Sequence, residues 1–525
     1  MTVYTNARFL SCEESNRVGS AMAVDKGRIV WFGDRAELPA AYRRAKTVDL
    51  GGAVVTPAFG DSHMHFESLC IFEQSFYLMD AADFDECAAI VRAYADSRPR
   101  DKVLLGYGCS AHVVKEGRLP ERADMDRWTE RPLMIIKYDG HAAVCNSAMM
   151  AMLTDEVRSD PGCREDSGWL YQNAFFKGVN EVTGRIPTMR ILKGLSVGAN
   201  MLAERGIGLV HNVEGVGFAN DLDVDMIRFL APGLPQAYRI FFQTMDLEAV
   251  RKRHLPRVGG CFRLALDGCF GSEDAALLQP YANDPSNRGV LYYTQEQVND
   301  FAIRANRMGL QITMHAIGDA AVEQCITAYE AAMTDCPRAD ARHVMIHCCL
   351  VSPSQLDRIQ KLGLCLAVQS PFIYWKQEPQ EYLDRILGPE RGAALNPLGS
   401  MHRRGIVVAD GSDGPCTRPN PLAAMACSVN HPDPNERLDR LQALRMITAN
   451  PAYISFDDKN RGTLTVGKIA DFVVLDGDPL TAEDIASIRV KDLYLAGRRY
   501  NGRVPGVLGL ALRSLYASLF RRQFI

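Results

Sequence analysis

Between residues 294 and 370 the chain alternates amphipathic helices with short apolar strands, a rhythm that leaves few folds open. Thr294 and Gln297 are spaced as a capping box, and Val298, Phe301, Ala302 and Ala305 lay one apolar stripe along the helix that follows. Gly309 ends that helix and residues 310–315 read as a strand. A second helix begins near Asp319, with Val322, Cys325, Ile326 and Tyr329 inward, and leads to the strand Val344-Met345-Ile346-His347. Ser352 at the N-cap and Pro353 in the first turn open a third helix, before strands at 364–368 and 405–409. Strands separated by crossover helices form parallel sheets, because a parallel neighbour is reached only through a long connection. Further strands are expected at 103–105, 133–137, 209–211 and 239–242, and one after Ala53-Val54-Val55 ends at His63-Met64-His65. Together they suffice to close a (β/α)8 TIM-type barrel over residues 57–455, with insertions in 66–130 and 145–205.

The chain ends have another character. Residues 2–56 hold short strands and turns, with Asp25-Lys26-Gly27 as a hairpin signal. Residues 462–475 and 491–500 repeat that character, turning at Gly467-Lys468 and Gly497-Arg498. Neither piece has enough strands to stand alone, so residues 1–56 and 456–503 are expected to build one small β-sandwich domain together. In the tail, 504–525, Leu508, Leu512, Leu515 and Leu519 with Arg513, Arg521 and Arg522 mark an amphipathic helix that packs on its own domain or on a partner subunit.

Polar residues fall at the ends of the expected strands. His63 and His65 are two apart and point the same way on a strand, which makes half of a metal site. Lys137, His315, His347 and Asp413 each follow another strand. Singly, each has a plain explanation: a hydrogen-bonded core histidine, a lysine reaching the rim, an aspartate in a turn. In a (β/α)8 barrel, however, the C-terminal strand ends converge on one mouth, where side chains from distant parts of the sequence meet. His141 and Asp267 also follow strand-like runs and are candidates to orient a substrate, while Tyr374 and Trp375 could wall an apolar one.

Composition narrows the function class. A net charge of −4 offers no electrostatic footprint for nucleic acid. There is no signal-peptide pattern and no apolar run of membrane-crossing length. The fifteen cysteines are scattered with no C-x-x-C spacing, which argues against a zinc knuckle or a redox dithiol and for reduced, mostly buried thiols in the cytoplasm. A small-molecule substrate is expected, with homo-oligomer formation left open.

Residues 57–65, the downstream strand-end residues in that order, and Gly467-Lys468-Ile469-Ala470-Asp471-Phe472-Val473-Val474-Leu475 resemble the amidohydrolase superfamily of metal-dependent hydrolases. Tyr138-Asp139-Gly140-His141, Asn146-Ser147, Asp267-Gly268, His315-Ala316-Ile317-Gly318-Asp319 and Asn420-Pro421-Leu422 resemble its third amidohydrolase family, the branch that includes N-substituted formamide deformylases. The resemblance implies one or two divalent metals, zinc first among them. His63 and His65 would hold the more buried ion, Lys137 would bridge as an N-carboxylated lysine, and His315 and His347 would hold the second ion. In that superfamily the bridging lysine ends the fourth strand, whereas Lys137 ends the third expected here. Asp413 would be the general base and acid for C–N hydrolysis, acting on a water whose pKa the metal lowers. The alternatives are a mononuclear deaminase or related hydrolase with uncarboxylated Lys137, and a non-catalytic scaffold.

Overall fold

Strands buried on both faces read as nearly unbroken apolar runs, and eight such strands form the centre of the molecule. The computed structural model describes residues 1–504 and 506–520. Phe59–Met64, Ile207–Glu214, Ala237–Phe242, Arg257–Ala265, Gln311–Ala316, Val344–His347, Cys365–Val368 and Val407–Asp410 lie side by side in chain order, each parallel to the next. The eighth strand returns to the first, where Asp413 N donates to His63 O at 2.8 Å and Ser412 N to Asp61 Oδ1 at 3.0 Å. Gly411 permits that closure, since a Cβ there would stand 2.5 Å from His63 N. The helix Gln295–Arg307 carries the expected capping box, and Pro353–Lys361 starts at the expected Ser352 N-cap, where Gln355 completes a second box.

Two strands expected in this barrel lie elsewhere. Leu104–Cys109 and Leu133–Lys137 pair with each other in a separate six-stranded sheet, completed by Phe76–Tyr77, Ala142–Cys145, Trp169–Tyr171 and Cys163–Arg164. Leu133–Lys137 pairs antiparallel with Ala142–Cys145 on its far side, which takes it out of any all-parallel barrel. Everything between the first and second barrel strands is therefore one excursion with its own sheet, rather than barrel strands flanked by insertions. Arg257–Ala265 supplies the missing fourth barrel strand. Its Gly259 serves close approach: φ is +112°, and a Cβ there would meet Thr313 O at 1.8 Å.

The chain ends meet as expected, in one seven-stranded sheet. Thr2–Leu10, Val18–Asp25, Arg28–Gly33 and Lys46–Pro57 come from the front, and Phe472–Leu475, Val490–Leu495 and Arg498–Arg499 from the back. Phe472 joins the halves, pairing opposite Pro57 and stacking on Tyr494 at 4.4 Å. The tail forms helix Val507–Phe520, anchored where Ser514 Oγ donates to Leu230 O at 3.0 Å. Leu510 and Ala517 face inward, whereas Leu508, Leu512, Leu515 and Leu519 are exposed. Arg521 and Arg522 lie outside the described residues. No described helix is long and apolar enough to cross a membrane.

Candidate metal centre

The first barrel strand delivers His63 and His65 to the mouth with ring centroids 5.4 Å apart. Asp413 follows the eighth strand in a left-handed conformation, φ 52°, which aspartate tolerates better than most residues. Its Oδ1 lies 3.1 Å from His63 Nε2 and 3.4 Å from His65 Nε2, in no conventional hydrogen bond. Asp61 braces the junction by accepting from His63 N at 3.2 Å and Ser412 N at 3.0 Å.

His315 and His347 close the other side, with rings 4.6 Å apart. His315 Nε2 faces Gly268 O at 3.0 Å and Asp267 Oδ1 at 3.3 Å, so its proton sits there and Nδ1, which has no partner among the described residues, keeps its lone pair. His347 Nδ1 lies 2.5 Å from Gln369 Oε1, leaving Nε2 turned inward. His347 and Cys348 have φ of 69° and 51°, strained values for such residues. Positions of this kind persist where the surroundings enforce them, often at functional sites.

Between the two pairs stands Cys261, which sequence reasoning missed. Its Sγ is 3.1 Å from His63 Nε2 and 3.5 Å from His347 Nε2. The register of the fourth strand against the fifth breaks between Gly260 and Ala265, and a bulge of this kind re-aims a side chain. Its one sequence signal was position, six residues before the Asp267-Gly268 pair. His63, His65, Cys261 and Asp413 each offer a donor atom within 4.8 Å of the others, and Cys261, His315 and His347 form a second such group.

The electrostatics suit a cation. Burial pulls His63 and His347 below the ordinary imidazole value, so both are neutral at physiological pH. Burial opposes ionisation of Asp413, but His63 and His65 outweigh it and hold the carboxyl well below its usual range. Nitrogen, sulfur and carboxylate donors buried together fit zinc and its neighbours, and the orphaned His315 Nδ1 is an atom that such an ion would satisfy.

Lys137 makes its polar contacts with other residues. Its Nζ lies 2.6 Å from Asp139 Oδ2 and donates to Gly271 O at 3.0 Å and Ser272 Oγ at 2.7 Å. Burial disfavours the ammonium, yet Asp139 more than compensates, keeping Lys137 protonated and Asp139 down at about 2. Lys137 thus ends a strand of the inserted sheet, where a barrel strand was expected, as an ammonium paired with Asp139. His141 does reach the mouth, 5.9 Å from the His315 ring and 5.6 Å from Phe262. Asp267 points away from it, accepting from the backbone N–H of Ala276, Ile317 and Gly318 while orienting His315. Trp375 stacks on Phe372 at 4.6 Å, and Phe372 lies over His347 at 6.2 Å. Tyr374 instead is 54% exposed, with its hydroxyl bonded to Asn430 O outside the mouth.

Residues 46–500 match the sequence profile described as the amidohydrolase family. A putative amidohydrolase, YtcJ, of Bacillus subtilis (strain 168) is 26% identical over 90% of this chain and 93% of its own. The N-substituted formamide deformylase of Arthrobacter pascens is 26% identical over 96% of this chain and 97% of its own. An uncharacterised metal-dependent hydrolase from Pyrococcus furiosus shares the fold, with a TM-score of 0.74 at 23% identity over 91% of this chain and 100% of its own.

Proposed function

The chain belongs to the amidohydrolase family, and from that membership we propose that it hydrolyses the C–N bond of a small amide, of the N-acyl or N-formyl kind, with Asp413 moving the proton. The observation that carries this reading is the convergence of His63, His65, Cys261 and Asp413 on one point, with His315 and His347 grouped around the same sulfur. We assign His63, His65 and Cys261 to one divalent ion, and Cys261, His315 and His347 to a second. A metal bound there would supply Lewis-acid polarisation of the carbonyl and acidification of water.

The protein's own part is proton traffic and placement. Asp413, ionised and beside His63 and His65, accepts a proton from the attacking water and returns it to the leaving nitrogen. His141 stands over His315, placed to donate to the carbonyl oxygen as charge builds there. Phe262, Phe372 and Trp375 give the mouth an apolar wall. With Lys137 held by Asp139, Cys261, which belongs to both donor groups, would serve either ion without a carbamate.

A panel of N-formyl and N-acyl amines assayed with zinc-loaded protein tests the reaction. Asp413→Asn should lower kcat by about a hundredfold or more, the scale of general acid–base catalysis, while zinc per chain holds. Unimpaired turnover would remove Asp413 as the base.

A further inference from the structure

A second group of buried acids lies outside the histidine centre. Glu67 sits in the first turn of helix Phe66–Phe72, Glu214 ends the second barrel strand, and Asp223 is in helix Leu222–Leu230. Their exposures are 0%, 2% and 0%, and one oxygen from each lies within 4.8 Å of the others. Three oxygens so spaced can all stand about 2.8 Å or less from a common centre, close to the calcium–oxygen range.

Their partners answer the charge only in part. Glu214 Oε1 accepts from Glu67 N at 3.0 Å, and Asp223 Oδ2 from Gly215 N at 2.5 Å and Val216 N at 3.2 Å. Both carboxylate oxygens of Glu67, and Oδ1 of Asp223, have no donor among the described residues. The nearby Arg253 is spent on Asp225 at 2.9 Å and Asp221 at 3.9 Å. Buried carboxylates in contact require either shared protons or a cation. Arg253 is the basic side chain whose charge bears on Asp223, and its hydrogen bonds to carboxylates go to Asp225 instead.

We propose that Glu67, Glu214 and Asp223 bind a hard divalent cation of calcium's chemistry, distinct from the histidine centre, that fastens helix Phe66–Phe72 to the exit of the second barrel strand. Three carboxylates offer up to six oxygens, the donor type and number that such an ion takes, whereas zinc prefers the nitrogen and sulfur of the other site. The site would hold rigid the helix that begins directly after His65.

The test uses the full-length, zinc-loaded protein, with elemental analysis and melting curves in calcium-free buffer and after addition of millimolar CaCl2, MgCl2 or MnCl2. One calcium per chain and a melting point raised by several degrees are expected. Asp223→Asn and Glu214→Gln should each lose that ion and that shift while keeping their zinc. Absence of bound ion and of any shift with all three salts would leave protons as the neutralising agent and overturn the proposal. Equal calcium uptake by the variants would overturn it too. If neither variant folds, the titration of the unmodified protein decides alone.

Discussion

Loading zinc into the histidine centre should expel one proton from Cys261, and Cys261→Ser should abolish that release. Burial first, then the Asp413 carboxylate and Cys416, push the Cys261 thiol well above its ordinary value, so it meets the metal as S–H. Metals take thiolate, so the proton must leave. The neighbouring donors contribute none above the imidazole range: His63 and His347 are already neutral and Asp413 is already ionised. Below the thiol's pKa, binding therefore strengthens as pH rises, by about tenfold or about 1.4 kcal/mol per pH unit for one proton. Calorimetric zinc titrations near pH 8, in buffers of different ionisation heat, count the protons released. Water at the ion adds its own fraction in both proteins, so the readout is the difference between them, about one proton per chain. Equal proton counts for the two, or a zinc affinity of equal pH slope, would refute Cys261 as a ligand.

Lys137→Met leaves Asp139 buried without its partner and should cost about 3–5 kcal/mol in urea unfolding, while zinc per chain stays as it was. A fall in zinc would return Lys137 to the ligand set. Gly411→Ala places a Cβ 2.5 Å from His63 N, against backbone that cannot swing aside. It should cost at least about 1–3 kcal/mol and lower zinc occupancy, and an unchanged melting point would count against the closure described. Burial, helped by Arg338, holds His343 at about 3, so the unfolded chain takes up a proton below the ordinary imidazole value that the folded chain refuses. Its stabilising share is complete above about pH 6.5 and is lost as pH falls toward the folded value, at about 1.4 kcal/mol per unit. His343→Gln should therefore narrow the stability difference between pH 7 and about pH 5 by about 2 kcal/mol, and equal losses in both proteins would refute it.

What the sequence discloses follows how local each signal is. The units from 294 to 370 could be read because their caps and stripes lie within a few residues of one another, and Thr294, Gln297, Ser352 and Pro353 occupy the positions their spacing implies. The histidines could be read because strand ends in a barrel share one pole. Leu133–Lys137 misled because an apolar run of five looks the same in a barrel as in an inserted sheet, and only its antiparallel partner tells the two apart. Arg257–Ala265 stayed hidden because Gly259-Gly260 interrupts its apolar run, while the need Gly259 meets, room for Thr313 O, lies 54 residues away in sequence. With the fourth strand unseen, Cys261 could not be placed, and the bridging role fell to a lysine that has other work.

That other work connects the two sheets. Lys137 ends a strand of the inserted sheet, yet Gly271 and Ser272, which it grips, belong to the turn Phe270–Ser272 that follows the fourth barrel strand. Asp139 makes the same crossing, accepting from Ser272 Oγ at 3.1 Å and Cys269 Sγ at 3.2 Å. The ion pair thus clamps the insertion over the mouth, within a dozen residues of Cys261. From that clamp His141 extends over His315, and Phe176 reaches Phe262 at 5.6 Å. The proposed metal donors sit on the barrel, whereas His141 and Phe176 reach the mouth from the insertion, residues 66–206. Exchange of insertion residues at the mouth should accordingly change which amide is accepted while leaving metal content intact, and a loss of metal instead would mean that the two layers are not separable.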